Sequence, residues 1–356
     1  MSPRASAGGD LVRGREMPRG SAGGDAVRGR DMPRAGFVLV REVVTPRWAP
    51  FRLGPPSLDG LTRRRGTGLV RLLHVGDEPV VVAVSGTVFA ARATSEEAAR
   101  EGLARMRHAT GIDDDLAGFH ARFRDDPVIG RALRANPELR VRRNPDPWET
   151  LMWAITEQLI DMSRATAIQR RLIGAHGRRF GALRDSPGAP AIARRAPAEL
   201  EACGLHAKRA LAMIKAAREV AAGRVALAPR MSPAPAQRPA RTTPDVVAGL
   251  RQDADFARLL AIAEIGTWTV EMVQLHGLGR LDVVPAGDLG YLKLVGRLVT
   301  GRPKAIADEA EVRGFFAPYA PWAGLAASYL IRARTIPGPL RAGTRWSAGA
   351  PRRAAA

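Results

Sequence analysis

The sequence predicts a small α+β unit followed by an almost wholly helical domain, and three features carry that expectation. Short runs of β-branched residues alternate with turns between Phe37 and Arg92. From Asp146 onward, apolar residues recur at helical spacing. The breaks between these periodic stretches hold N-capping residues, glycines and prolines where helices are expected to start and stop.

Taken in chain order, residues 1–36 come first. They contain a near duplication in which Ser6-Ala-Gly-Gly-Asp-Leu-Val-Arg-Gly-Arg recurs from Ser21 with one change. Two copies of so polar and glycine-rich a unit cannot form a core, so a disordered basic tail is expected. Met17 and Met32 are alternative candidates to Met1 for the translation start. Phe37-Val-Leu-Val and Leu69–Val75 read as strands. Pro79–Val84, a turn at Ser85-Gly86 and Thr87–Arg92 read as a hairpin. Ser95-Glu96-Glu97 opens a helix with an N-cap and an acidic first turn, and the α+β unit ends near Gly111.

The helical domain is expected over 112–336. Asp146-Pro147 combines an N-cap with proline at the first helical position. Trp148, Leu151, Met152, Ile155 and Leu159 then follow at helical spacing. Ser163 is expected to cap the next helix, running towards Gly174, with further helices at Pro197 and over Lys208–Ala222. A proline-rich stretch, 228–244, reads as a loop. Helices resume at Pro244 and end near Arg334, and 337–356 reads as a second disordered tail.

Composition narrows the class. The chain has 356 residues, 46% hydrophobic, enough to bury a sizeable core. It carries 55 basic against 35 acidic residues, a net charge of +20, nearly all of it arginine. Such an excess points to a polyanionic partner, although genomic base composition can produce the same bias. One cysteine, Cys203, excludes an internal disulfide framework, a Cys-rich zinc module and a four-cysteine iron–sulfur cluster. The six histidines are scattered, so no metal site is expected. No apolar run approaches the roughly 20 residues of a membrane span, and no signal core opens the chain. A cytoplasmic, nucleoid-associated protein with no membrane partner is expected.

The stretch Leu259–Leu298 is the most informative. It reads helix, Glu264-Ile265-Gly266 turn, helix, loop, then Pro285-Ala-Gly-Asp288 leading into another helix. A tight turn between helices presents backbone N–H groups and a positive dipole end, which together suit a DNA phosphate without reading sequence. A carboxylate about twenty residues later, at a helix start, can be held at a fixed point beside the bound strand. Asp288 is also a natural N-cap, and the two roles are compatible. Asp282 is the competing carboxylate but lacks the Gly-flanked turn.

Ile265-Gly266-Thr267-Trp268-Thr269-Val270-Glu271-Met272 followed by Asp288 resembles the signature of the helix–hairpin–helix DNA glycosylase superfamily. Within it, the chain is most similar to the 3-methyladenine DNA glycosylase II family. Supporting matches are Asp146-Pro147-Trp148-Glu149 leading to Glu157-Gln158-Leu159, Gly204-Leu205 with Lys208-Arg209-Ala210, and Ala320-Pro321-Trp322 with Tyr329-Leu330. The resemblance covers about residues 37–336. It implies an antiparallel α+β unit ahead of an all-α, two-lobed glycosylase domain. It also implies base flipping on duplex DNA by a monomer that removes alkylated bases of the 3-methyladenine and 7-methylguanine type.

Residue by residue, the resemblance makes Asp288 the catalytic carboxylate and places Glu264, Ile265, Gly266, Thr267 and Thr269 in the phosphate-binding hairpin. Gln158 and Leu159 align with the wedge that fills the hole left by a flipped nucleotide; Leu159 also continues the apolar stripe of its helix, so core packing stays open. Trp268, Trp322 and Tyr329 are candidates for the walls of the base pocket, where a cationic base gains cation–π contact, or are core residues. Strand-cleaving branches place a lysine two residues after the last hairpin glycine. Trp268 stands there instead, implying base removal without strand cleavage. No cofactor is implied, save room for a monovalent cation on hairpin carbonyls. One departure stands out: Glu264 replaces the first glycine of the hairpin turn, where a positive φ would strain it and its charge would oppose a phosphate. Two other readings remain: a glycosylase for deaminated purines such as hypoxanthine, and a non-catalytic DNA-damage or structure-binding protein of the same fold.

Overall fold

A computed structural model describes residues 36–227, 249 and 252–332. Residues 1–35, 228–248 and 333–356, which hold the expected tails, the proline-rich loop and the restart of helix at Pro244, lie outside the described residues.

Five antiparallel strands form the first unit: β1 (Val38–Val43), β2 (Thr62–Arg65), β3 (Gly68–Val75), β4 (Glu78–Ser85) and β5 (Val88–Ala93), in the order β1-β5-β4-β3-β2. The expected hairpin is β4–β5, but its turn lies one residue further on. Ser85 pairs with Val88, so Gly86-Thr87 turn the chain, and Gly86 at φ 57 takes the left-handed backbone that suits glycine. β2 has no counterpart among the expected strands. Its Arg63-Arg64-Arg65 run carries no alternation of apolar side chains, and charge is what keeps an exposed sheet edge from pairing further. Val80, Val82 and Val84 of β4 alternate into the core against α1 (Glu96–Thr110). α1 starts and stops where expected: Ser95 Oγ accepts from the Ala98 amide, and Gly111 closes the helix at φ 67.

The helices form two lobes, each around its own core. One is built on α4 (Pro147–Glu157), α5 (Met162–His176), α6 (Ala189–Ala193), α7 (Pro197–Ala202), α8 (Ala207–Ala221), α9 (Ala254–Leu260) and α10 (Thr267–Met272). The other gathers α2 (Ala117–Phe123), α3 (Gly130–Ala135), α11 (Leu289–Thr300), α12 (Glu309–Phe316) and α13 (Ala323–Arg332). α10 runs on into a π-helical turn, Val273–Gly277, that crosses between the lobes, with Val273 in the first core and Leu275 in the second. A π turn of this kind widens the helix by one residue per turn and is concentrated at functional sites.

α4 is the axis of the first lobe. Asp146 caps it through the Trp148 amide, Pro147 follows as expected, and every residue from Pro147 to Thr156 is buried. A buried polar seam fixes α4 to the sheet: Arg71 of β3 pairs with Glu149, and Asp185 binds His74 Nδ1 at 2.9 Å. Burial pushes the Glu149 carboxyl up to about 7, with the Arg71 charge acting against that rise. α5 corrects one expected boundary. Asp161, not Ser163, is its N-cap, accepting from the Arg164 amide at 2.9 Å, while Ser163 Oγ donates to the Asp161 carboxylate.

Candidate active site

The mouth between the lobes is built from the end of α4, the α9–α10 hairpin and the start of α11. α4 stops at Glu157. Leu159, expected at the end of the same apolar stripe, lies beyond the helix with φ 55 and 97% of its surface exposed. The core-packing alternative for Leu159 is therefore excluded. An apolar side chain held in solvent forgoes about 1.5–3 kcal/mol of burial. Its left-handed backbone adds a further ~1–2 kcal/mol. Both penalties fall on one residue, and at 97% exposure no packing among the described residues offsets them. Gln158 anchors the protruding leucine, since its Nε2 donates to the Glu264 carbonyl at 2.6 Å and to Thr269 Oγ1 at 2.9 Å.

The hairpin follows from α9 ending at Leu260 and α10 starting at Thr267. Ile265 is buried in the first core and its amide bonds the Ile262 carbonyl. Glu264 sits at φ 72, the left-handed conformation that makes glycine the natural residue there, as expected from its replacement. Gly266, by contrast, has an ordinary φ of −97, and a Cβ on it would meet nothing within 4 Å. Its value is the open space above the backbone. The amides of Thr267, Trp268 and Thr269, in the first turn of α10, have no helical carbonyl behind them and are free for an anion. Arg209 feels the charges of both Glu264 and Arg164. The hairpin's negative charge therefore stands among arginines to which sequence reasoning assigned no role.

Asp288 is the N-cap of α11. Its Oδ1 accepts from the Gly290 amide at 2.7 Å and the Tyr291 amide at 3.4 Å. Oδ2 accepts from no described residue, so one oxygen serves the helix and the other is available. The loop carrying Asp288 is pinned twice. A Cβ on Gly287 would lie 3.4 Å from Trp268 Cβ, which puts the Trp268 slot directly against the loop. The Ala286 amide donates to Glu271 Oε2 at 3.3 Å, and Glu271, fully buried, pairs with Arg313. Burial pushes the Glu271 carboxyl up to about 7, while Arg313 draws it down. Asp282 takes no part: Arg280 holds it at 2.8 Å.

The aromatic candidates divide. Trp268 is half-buried beside the Asp288 loop, with a buried indole N–H that has no partner. Trp322, 7% exposed, packs among Phe119 and Phe123 in the second core. Tyr329 is packed more deeply still. It is 1% exposed, and its hydroxyl is committed to His120 Nε2 at 3.1 Å and the Leu139 carbonyl at 3.2 Å. Both of these rings pack in the core of the second lobe.

Glu157, directly before the wedge, has no assigned role in the sequence reading. Its Oε1 accepts from Gln169 Nε2 at 3.0 Å. Burial, with the nearby charge of Asp288 acting in the same sense, pushes it up to about 7. A glutamate at a helix end is expected to face water; here Gln169 of α5 lies across it.

An antiparallel sheet, two helical lobes and a hairpin facing an aspartate at a helix start define a helix–hairpin–helix glycosylase fold. The protein described as MBOgg1, in complex with a low-affinity DNA ligand, matches over 84% of this chain and 96% of its own, with a TM-score of 0.59 and 18% identity. The 3-methyladenine DNA glycosylase of Archaeoglobus fulgidus matches over 78% and 90%, with a TM-score of 0.57 and 20% identity. An 8-oxoguanine glycosylase/lyase of Clostridium acetobutylicum gives a TM-score of 0.57 at 15% identity, over 84% and 94%. At these identities the likeness establishes the fold alone.

In sequence, the chain is 24% identical over 245 residues to a DNA-3-methyladenine glycosylase of Bacillus subtilis, covering 67% of this chain and 74% of that one. It is 27% identical over 236 residues to a probable bifunctional transcriptional activator/DNA repair enzyme AlkA of Mycobacterium tuberculosis, covering 64% of this chain and 41% of that longer protein. No protein-family model matches. In sequence the chain is thus similar to 3-methyladenine DNA glycosylases, and its fold is that of the helix–hairpin–helix glycosylases.

Proposed function

We propose that this protein is a DNA glycosylase that hydrolyses the N-glycosidic bond of alkylated bases in duplex DNA without cutting the strand. The observation that carries the reading is Asp288, with one carboxylate oxygen on the α11 cap and the other open, on a loop packed against Trp268. Leu159 enters the stack and replaces the target nucleotide, and the free amides of α10 hold a neighbouring phosphate. An alkylated purine is already cationic and leaves readily. The ionised Asp288 then stabilises the oxocarbenium sugar and orients the attacking water. Trp268, at the mouth, is the aromatic surface available to a cationic base.

Absence of strand cleavage rests on the same slot. Trp268 cannot form a Schiff base, and the lysines of the chain, Lys208, Lys215, Lys293 and Lys304, are all exposed elsewhere. The reaction needs no redox or group-transfer cofactor. A monovalent cation at the hairpin would compete for carbonyls already in use, since Glu264 O accepts from Gln158 and Ile262 O from the Ile265 amide. The protein is taken to act as a monomer on DNA, and no helix among the described residues is long and apolar enough to cross a membrane.

Release of 3-methyladenine and 7-methylguanine from methylated duplex DNA tests the reading. Wild type is expected to release them, Asp288→Asn to bind the same DNA without release. Intact binding with no release by wild type would instead make this a damage-binding protein. Glu157 favours one second reading, excision of neutral deaminated purines such as hypoxanthine. A carboxyl pushed up to about 7 beside Asp288 can still hold a proton to donate to a poorer leaving group.

A further inference from the structure

A cavity of about 590 Å³ lies where the sheet unit meets the second helical lobe. Its walls come from the loop after Arg52, from β2 and β3, from the end of α1, from residues 136–145 and from Arg332 at the end of α13. Seven arginines line it against a single carboxylate, Glu138.

These arginines differ in how their charge is met. Arg71 pairs with Glu149, and Arg143 with Asp114 at 2.7 Å, yet each keeps a buried Nε–H with no acceptor. Arg140 is buried and donates only to neutral carbonyls, those of Trp48, Pro50, Gly111 and Glu138. Arg52, Arg64, Arg142 and Arg332 are exposed and form no ion pair among the described residues. Desolvation lowers the pKa of buried Arg140, with the Arg143 charge acting in the same sense and Asp114 against it. Like charges facing one cavity repel, and an anion carrying several oxygens relieves that repulsion while satisfying guanidinium forks bidentately.

The rest of the lining is apolar or neutral: Leu53, Leu69, Met106 and Val141 form a greasy wall, with Asn136 and Asn144 beside it. The volume falls within the range of small-ligand sites. We propose that this seam cavity is a second binding site, taking a phosphate-bearing ligand of nucleotide size. Its phosphates lie among Arg52, Arg64 and Arg142, and its base or other planar part lies on the apolar wall. The site is separate from Asp288. Asn144 and Pro145 line it just before α4, while Leu159 stands just beyond the other end. Eleven helical residues put roughly 16 Å between the two.

Phosphate can come from a free nucleotide or from the DNA backbone, and calorimetric titration separates the two. Full-length protein is titrated with ATP and with inorganic pyrophosphate, alone and in the presence of a short undamaged duplex. Wild type is expected to bind both anions. The Arg52→Ala/Arg142→Ala double variant is expected to weaken binding at least tenfold, with base release from methylated DNA unchanged. Both side chains are exposed and make no bond to the fold, and an unchanged melting temperature checks that the variant is folded. Arg131→Ala/Arg302→Ala removes the same charge elsewhere and is expected to bind as wild type does. Failure of the duplex to displace ATP assigns the site to a free nucleotide; displacement, with duplex affinity falling in the double variant, assigns it to DNA phosphates. Flat titrations with wild type, or equal losses in the two double variants, overturn the proposal, and neither result bears on Asp288.

Discussion

Gln158 Nε2 donates to the main-chain carbonyl of Glu264 across 2.6 Å, tying the end of α4 to the hairpin turn more than a hundred residues later. The bond joins the two elements proposed to meet DNA. Leu159 follows Gln158 directly, so the position of the wedge relative to the phosphate-binding amides depends on this contact. Leu159→Ala removes a side chain that packs on nothing, so its melting temperature is expected to match wild type. Single-turnover base release from duplex is expected to fall about tenfold or more, equivalent to ~1.4 kcal/mol of lost flipping energy. Release from single-stranded DNA, which needs no replacement in a stack, is expected to change little. Equal losses on both substrates would remove Leu159 from the flipping step. Gln158→Ala is expected to show the same pattern more weakly.

Glu264 and Arg209 carry opposite charges beside the hairpin proposed to bind a DNA phosphate. The carboxylate repels a phosphate, but the nearby arginine reduces that repulsion. Glu264→Gly removes both the charge and the side chain from a φ of 72. It is expected to stabilise the fold by about 1 kcal/mol, and to tighten duplex binding at moderate salt. Glu264→Gln separates the two effects, keeping the backbone strain while losing the charge. If Glu264→Gly bound duplex no better than wild type, the hairpin would not be contacting the phosphate.

Asp288 caps α11 and is proposed to carry the chemistry, and substitutions pull the two roles apart. Asparagine keeps an Oδ1 able to accept from the Gly290 amide, so Asp288→Asn is expected to melt near wild type while base release collapses. Asp288→Ala also loses the cap, at a cost of about 1 kcal/mol. Denaturation curves and release assays on the pair make the comparison. A stable alanine variant that still releases base would leave the aspartate as a cap and nothing more.

How much of this was legible in the sequence depends on which force shaped each element. Ser95, Gly111 and Asp146-Pro147 act through local backbone chemistry and mark helix ends where expected. The hairpin and Asp288 were legible because their spacing is itself the motif. β2 was not, because an edge strand of arginines has no apolar alternation to detect. Leu159 satisfied the helical period of α4 and yet lies outside it; periodicity reports spacing along the chain, not where the helix stops. The partners of the Tyr329 hydroxyl, His120 and the Leu139 carbonyl, were not legible because both lie far away along the chain. Glu157 and Glu271 were invisible as buried acids, since nothing local distinguishes a carboxylate that tertiary packing will cover.

Glu271 acts on Asp288 from a distance, through the Ala286 amide and its own buried pair with Arg313. Arg313→Ala strands a buried carboxylate and is expected to destabilise the protein by roughly 3–5 kcal/mol. Glu271→Gln keeps the shape and an acceptor for Ala286, and is expected to fold with a modest loss. Its single-turnover rate at saturating DNA is expected to fall while DNA affinity holds, because the loop carrying Asp288 is less firmly held. A matching fall in affinity would point to a general structural defect.

Glu157 sets a pH dependence whose direction follows from its environment. Burial first, and the charge of Asp288 in the same sense, raise its carboxyl from 4.5 to about 7. The folded protein therefore holds a proton that the unfolded chain releases. The stability due to the neutral carboxyl is fully present below about 4.5 and is lost as pH rises through 7. Glu157→Gln mimics the protonated form. It is expected to melt like wild type at acid pH and above wild type beyond pH 7, the gap opening between those limits. The same proton separates the two substrate readings. Excision of hypoxanthine, a neutral leaving group, is expected to decline as Glu157 ionises and to be lost in Glu157→Gln. Release of cationic 7-methylguanine does not need that proton and is expected to persist. Hypoxanthine release that is flat across this range and unaffected by Glu157→Gln would show that Glu157 holds its proton for the fold alone.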